Sequence, residues 1–168
     1  MGVFTRAIKA VWNEVNKPET FVKGDEFEEY VRKNIFPPNE YELLAKTHDY
    51  ISNKKDYVQS SMEPDFKFRS RKKGKVFFVE AKYRSAYFDG KIECKSYQIS
   101  RYRDINKVTP VYVVVGIGNV PSSPEHIFLM PVKCIKYVQL FRNFLKEYEI
   151  RPEQGVSEEK LSALLMVS

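Results

Sequence analysis

Cysteine and histidine are scarce in this chain, and long apolar runs are missing from it. Cys94 and Cys134 are too few for a disulfide framework and do not form a Cys-x-x-Cys pair, so the plain expectation is reduced thiols in a cytoplasmic protein and no zinc site. His48 and His126 stand apart in the sequence, which leaves each a surface or hydrogen-bonded structural role. The longest aliphatic stretch, about Val111 to Val115, falls far short of the roughly 20 residues that a membrane span needs. Arg6, Lys9 and Glu14 interrupt residues 1–16, so no secretory signal is expected. Internal repeats and low-complexity tracts are also missing. What is present is a globular composition, 43% hydrophobic and 30% charged over 168 residues, enough for one domain with a packed core.

The charge is unevenly placed. The net value is +6, and residues from Tyr137 onward contribute −1 of it, which leaves +7 on residues 1–136. Lys67, Arg69, Arg71, Lys72, Lys73 and Lys75 follow one another without an intervening acid, a cluster that would attract a polyanion.

Periodicity predicts an amphipathic helix over residues 3–16, with Phe4, Ile8, Val11, Trp12 and Val15 on one side. A second helix is expected from about Thr20 to Ile35, stopped by Pro37-Pro38, with a core stripe of Phe21, Gly24, Glu28, Val31 and Ile35. Of the neighbouring acids only Glu28 falls in that stripe. Strands are expected at 41–47, 66–69, 76–83, 111–115 and 127–132, and Tyr57 to Ser61 is a candidate extension of the sheet. Gly74 suits the turn between the second and third of these strands. Residues 93–106 read as a helix with Cys94, Gln98, Arg101 or Tyr102, and Ile105 on one side; residues 136–148 read as another, and Ser157 to Met166 as a last one. Gly116 and Gly118 lack the third glycine and following helix of a nucleotide-binding loop, so a simple turn is expected there. The order of elements makes an α/β sandwich around one mixed sheet.

The stretch Val76-Phe77-Phe78-Val79-Glu80-Ala81-Lys82 alternates so that Glu80 and Lys82 share one strand face. A buried face does not ordinarily carry a carboxylate and an ammonium together unless they hold something. With Asp65 on the adjacent strand, the set suits phosphodiester hydrolysis, which needs a positioned water and neutralisation of the phosphate oxygens. Asp65 and Glu80, with the backbone carbonyl of Ala81, are hard oxygen donors for Mg2+ or Mn2+. Lys82 would orient the water, and Glu28 would complete the metal site. Arg84 and Arg101 join the basic cluster as candidate contacts to nucleic acid, and Tyr83, Tyr87 and Phe88 mix aromatic rings with it.

Pro64-Asp65, followed after fifteen positions by Glu80-Ala81-Lys82, resembles the PD-(D/E)xK nuclease superfamily. Lys23-Gly24-Asp25-Glu26-Phe27-Glu28 resembles the helical motif that precedes it, and Gln98 the glutamine that many members place near the site. The start of this motif and the small basic chain look most like archaeal Holliday-junction resolvases. The resemblance covers roughly Phe21 to Gly118 and implies a restriction-endonuclease-like fold; the chain as a whole reads as one domain, with residues 1–19 as an N-terminal helix, 20–132 as the nuclease core and 133–168 as a C-terminal helical extension. It also implies a catalytic set of Glu28, Asp65, Glu80, Lys82 and Gln98, DNA as partner and, where both strands are cut, a homodimer. Two other readings remain: a non-catalytic nucleic-acid-binding or assembly module of the same fold, and a structural protein in which Glu80 and Lys82 form a simple ion pair.

Overall fold

The computed structural model describes residues 19–47, 62–151 and 155–167. The expected helix at 3–16, the strand extension at 57–61 and His48 lie outside the described residues.

The described chain opens with helix α1 (Glu19–Tyr30), which widens into a π turn (Val31–Ile35). An antiparallel meander follows, β1 (Tyr41–Lys46), β2 (Phe66–Ser70) and β3 (Val76–Arg84). Strand β4 (Lys91–Glu93) and helix α2 (Ser96–Asn106) then carry the chain across to β5 (Val111–Ile117), which pairs parallel to β3. Strand β6 (His126–Pro131) returns antiparallel to β5. A 3-10 turn (Val132–Cys134), β7 (Gln139–Phe141), α3 (Arg142–Lys146), β8 (Glu149–Ile150) and α4 (Glu158–Met166) complete the described chain. Six strands form the main sheet in the order β1-β2-β3-β5-β6-β8, and β4 pairs with β7 in a separate ribbon.

Strand β5 is buried along its whole length, as its near-continuous β-branched run predicts for a central strand covered on both faces. Phe27, Val31, Ile35, Phe66, Phe68, Phe77 and Leu161 pack on one face of the sheet, under α1 and α4. Phe78, Ile99, Tyr102, Val113, Val115, Met130 and Leu145 pack on the other, under α2 and α3. Alternation along β3 divides Phe77 and Val79 from Phe78 and Glu80.

Four sequence expectations are corrected. Phe21 is 53% exposed, so the core stripe of α1 is led by Phe27 and continues through Val31 and Ile35. Phe27 wins the position because Gly116 offers no side chain there: a Cβ on Gly116 would lie 2.2 Å from the Phe27 ring. Gly116 is therefore an interior residue of β5, and the turn comes after it. The helix expected at 136–148 is broken into β7, α3 and β8. Leu140 faces Ile92 across the β4–β7 ribbon and is buried there, so its strand pairing overrides the helical spacing of the apolar residues around it. For the same reason α2 begins at Ser96 and not near Glu93, which belongs to β4.

Candidate active site

Thr47, just past β1, fixes the start of β2. Its backbone N–H donates to the Asp65 carbonyl and its hydroxyl donates to the Pro64 carbonyl, each at 2.8 Å. The register that pairs Phe66 with Val79 sets Asp65 opposite Glu80, one residue beyond the end of the ladder. There Asp65 Oδ2 accepts the Ala81 N–H at 2.8 Å, so a side chain takes over where backbone pairing stops.

Glu80 is buried, 5% exposed, on the face covered by α2. Both of its carboxylate oxygens are held: Tyr102 donates its hydroxyl to Oε2 at 2.7 Å, and Lys82 Nζ lies 3.0 Å from Oε1. Lys82 also donates to Gln98 Oε1 at 3.1 Å. Gln98 and Tyr102 stand one helical turn apart on α2, and together they clamp the acid and the lysine of β3. Glu28 reaches the same end of the sheet from α1, on the opposite face, and pairs with Lys46 at 3.0 Å.

Asp65 is the meeting point of these groups. Burial holds its carboxyl well above the ordinary carboxylate range, and the negative charges of Glu80 and Glu28 push it the same way, against the opposing Ala81 N–H and Lys82. Burial, with Glu80 beside it, also raises the Tyr102 hydroxyl far above its usual value, so Tyr102 remains a proton donor at working pH. Among the described residues, no group of three or more histidine, cysteine, aspartate or glutamate side chains is arranged to hold a metal ion.

The remaining candidates divide by position. Lys67 lies opposite Phe78 with its ammonium 5.2 Å from the ring centre. Arg84 follows Lys82 by two residues and donates to the Tyr83 and Glu93 carbonyls. Arg101 stands on α2, 5.8 Å from the Tyr97 ring centre. The β2–β3 turn, in contrast, lies beyond Val76, roughly 13 Å along the strand from Glu80 at 3.3 Å per residue. Its cations are engaged locally: Arg69 with Glu42, Arg71 with the Pro38 carbonyl, Lys72 with Glu159. Lys73 and Lys75 share that turn. His126 bonds Glu149 at 2.7 Å on the surface. Cys94 and Cys134 are free thiols, and burial raises that of Cys94. A groove of about 390 Å3 between β7, α3 and Val167 is lined by aromatic and apolar residues together with Lys133, Lys136, Gln139 and Glu147, and Glu28, Asp65 and Glu80 are not in it.

A solved structure with a similar fold is that of Hjc, a Holliday junction resolvase from the archaeal hyperthermophile Archaeoglobus fulgidus. The two superpose with a TM-score of 0.53 over 76% of this chain and 95% of that one, at 10% sequence identity. The fold is restriction-endonuclease-like. No family model and no curated protein matches the sequence. On this restriction-endonuclease-like sheet, sequence reasoning had selected Glu28, Asp65, Glu80, Lys82 and Gln98 but missed Lys46 and Thr47. It left Arg101 and Tyr102 as alternatives for the inner face of α2. The four-residue step from Gln98 was the signal that favours Tyr102.

Proposed function

We propose that this chain is a metal-dependent nuclease of the PD-(D/E)xK type that hydrolyses phosphodiester bonds in DNA. The observation that carries the reading is the placement of Asp65 opposite Glu80 at the end of the β2–β3 pair, its carboxylate accepting the Ala81 N–H, with Lys82 held between Glu80 and Gln98.

The donor chemistry, though not the present spacing of the three carboxylates, is that of a hard divalent cation. Asp65, Glu80 and Glu28 are oxygen donors whose mutual repulsion a cation would relieve, and the Ala81 carbonyl leaves the strand on the same edge as the N–H that Asp65 holds. When bound, Mg2+ or Mn2+ there supplies charge neutralisation at the phosphate and a lowered pKa for a coordinated water. The chain's own residues do the positioning. Glu80 and Gln98 aim the Lys82 ammonium into the space beside Asp65, where it can donate to a phosphate oxygen and orient the attacking water. Tyr102 fixes the Glu80 carboxylate and keeps its rotamer from drifting. Lys67 and Arg84, on the Glu80 face of the sheet, add positive charge for the flanking phosphates.

The engagement of both Glu80 oxygens favours the second reading, a DNA-binding module of the same fold without catalysis. Incubation with supercoiled plasmid separates the two. The nuclease reading expects nicking or cleavage in Mn2+ or Mg2+ that EDTA abolishes, and at least a hundredfold loss, roughly, in Asp65→Asn and in Lys82→Ala. Metal-dependent cleavage that survives in both variants, or plasmid left intact by the unmodified chain, removes the catalytic assignment.

A further inference from the structure

The crossover between β3 and β5 carries two aromatic rings that the core does not use. Phe88 is 85% exposed and Tyr97 56%. Phe88 stands at a tight turn in which Asp89 and Gly90 take φ values of 52° and 70°, and Phe88 and Lys91 exchange backbone hydrogen bonds at 2.9 and 3.2 Å. Positive φ at both central residues is the two-residue hairpin geometry that holds its flanks rigidly. The aromatic residues between Lys82 and Phe88 are committed elsewhere. Tyr83 packs on Phe27 and donates its hydroxyl to the Gly118 carbonyl, and Tyr87 is half-buried beneath the Arg142 guanidinium. Among the described residues of the crossover, Phe88 has the most exposed ring.

Cations stand beside both rings, with Asp89 as the one acid in the Phe88 turn. A cleft of about 190 Å3 lies between the end of β3 and this tip, walled by Arg84, Ala86, Phe88 and Lys91. Glu93 also borders it, but its carboxylate accepts from Gln139 at 3.2 Å across the ribbon. Tyr97 is the residue before Gln98, whose side chain touches Lys82, and Lys95 and Arg101 lie 5.9 and 5.8 Å from its ring centre. Arg84 is on the same strand face as Glu80 and Lys82, two residues further along.

Bare rings accompanied by cations suit a polyanion whose bases expose their faces. An intact duplex hides those faces in its stack, whereas an unpaired strand offers them. We infer that this crossover is a binding surface for unpaired nucleotides. A base adjoining the phosphate at Lys82 enters the Arg84 cleft and stacks on Phe88, and a second stacks on Tyr97. The inference rests on the reading of this site as DNA-directed, and it names the substrate class: DNA with a single-stranded segment beside the scissile phosphate.

Fluorescence anisotropy of the full chain in EDTA tests it, with a labelled single strand, the matching blunt duplex, and that duplex bearing a single-stranded extension. The single strand and the extended duplex should bind about tenfold or more tighter than the blunt duplex. Phe88→Ala and Tyr97→Ala should each weaken binding of the single strand by about tenfold and leave the blunt duplex unchanged, with Tyr97→Phe retaining affinity. Equal affinity for single strand and blunt duplex overturns the inference, as does single-strand affinity that stays within about twofold in both alanine variants. No metal or cleavage enters these measurements. Strand selectivity without plasmid cleavage would leave the surface standing and remove the catalytic reading, and cleavage without selectivity would remove the surface alone.

Discussion

Replacing Tyr102 by Phe removes one hydroxyl and nothing else, and its effect follows from what that hydroxyl does. It is the partner of Glu80 Oε2 at 2.7 Å, at a residue only 5% exposed, with Lys82 serving the other oxygen. A hydrogen bond to a charged group contributes about 1.5–3 kcal/mol, and a buried acceptor left unpaired costs about the same. For a chain of this length each kcal/mol moves Tm by about 2–4 °C, so Tyr102→Phe should melt about 3–12 °C below the unmodified chain in EDTA. In a Glu80→Gln background the same substitution should cost less, because a neutral amide is cheaper to leave unpaired than a carboxylate. Saturating Mn2+ should narrow the gap, since a cation can take up the freed oxygen. Thermal unfolding followed by circular dichroism reads all of these. A Tm within about 1 °C of the unmodified chain would show that Glu80 does not depend on this contact, and the account of how the site is held would fail with it.

Other substitutions probe the rest of the argument. Asp65→Asn should abolish cleavage while raising metal-free stability at pH 8. The folded protein holds the Asp65 proton more tightly than the unfolded chain, so its stability falls as pH rises from the unfolded value near 4 through the raised folded value. The variant's advantage should therefore vanish in melts below about pH 4, and an advantage independent of pH would contradict the cause assigned. Gly116→Ala forces a methyl into the Phe27 ring and should cost about 1–3 kcal/mol or more in urea denaturation, with partial recovery in Phe27→Leu/Gly116→Ala. Arg84→Ala should weaken DNA binding and flatten its salt dependence more than Lys72→Ala, whose ammonium is already paired with Glu159 on the far turn.

The elements most legible in the sequence were those whose pattern and pairing agree. The β-branched run of β5 and the alternation of β3 placed the centre of the sheet, and Asp65, Glu80, Lys82 and Gln98 come together because β2, β3 and α2 form close to where their periodicity puts them. The pattern failed where a partner distant in sequence decides. Leu140 has helical neighbours but joins β4, which removed the helix at 136–148. Phe21 and Phe27 were equally apolar, and only the absence of a side chain at Gly116 selects Phe27. The basic turn was conspicuous as composition, yet charge density says nothing of distance along a strand. The spacing already sets the lysine run at the far end of the hairpin from the acids; what register adds is that Asp65 and Glu80 stand opposite each other. Lys46 gave no signal at all, since its pairing with Glu28 joins a strand to a helix across the sheet's end.

The parallel pairing of β3 with β5 has a consequence for the order in which this molecule assembles. The meander β1-β2-β3 is closed by contacts between neighbours in sequence, so Asp65 and Glu80 can meet early, whereas β3 and β5 close only after the whole crossover has been laid down. Gln98 and Tyr102 ride on that crossover. Until it docks, Glu80 and Lys82 stand in water without their α2 partners, and a transient undocking of α2 from the native state would return them there. Amide exchange should therefore find the α2 segment and the β3–β5 ladder opening as one unit, with the meander protected independently of them.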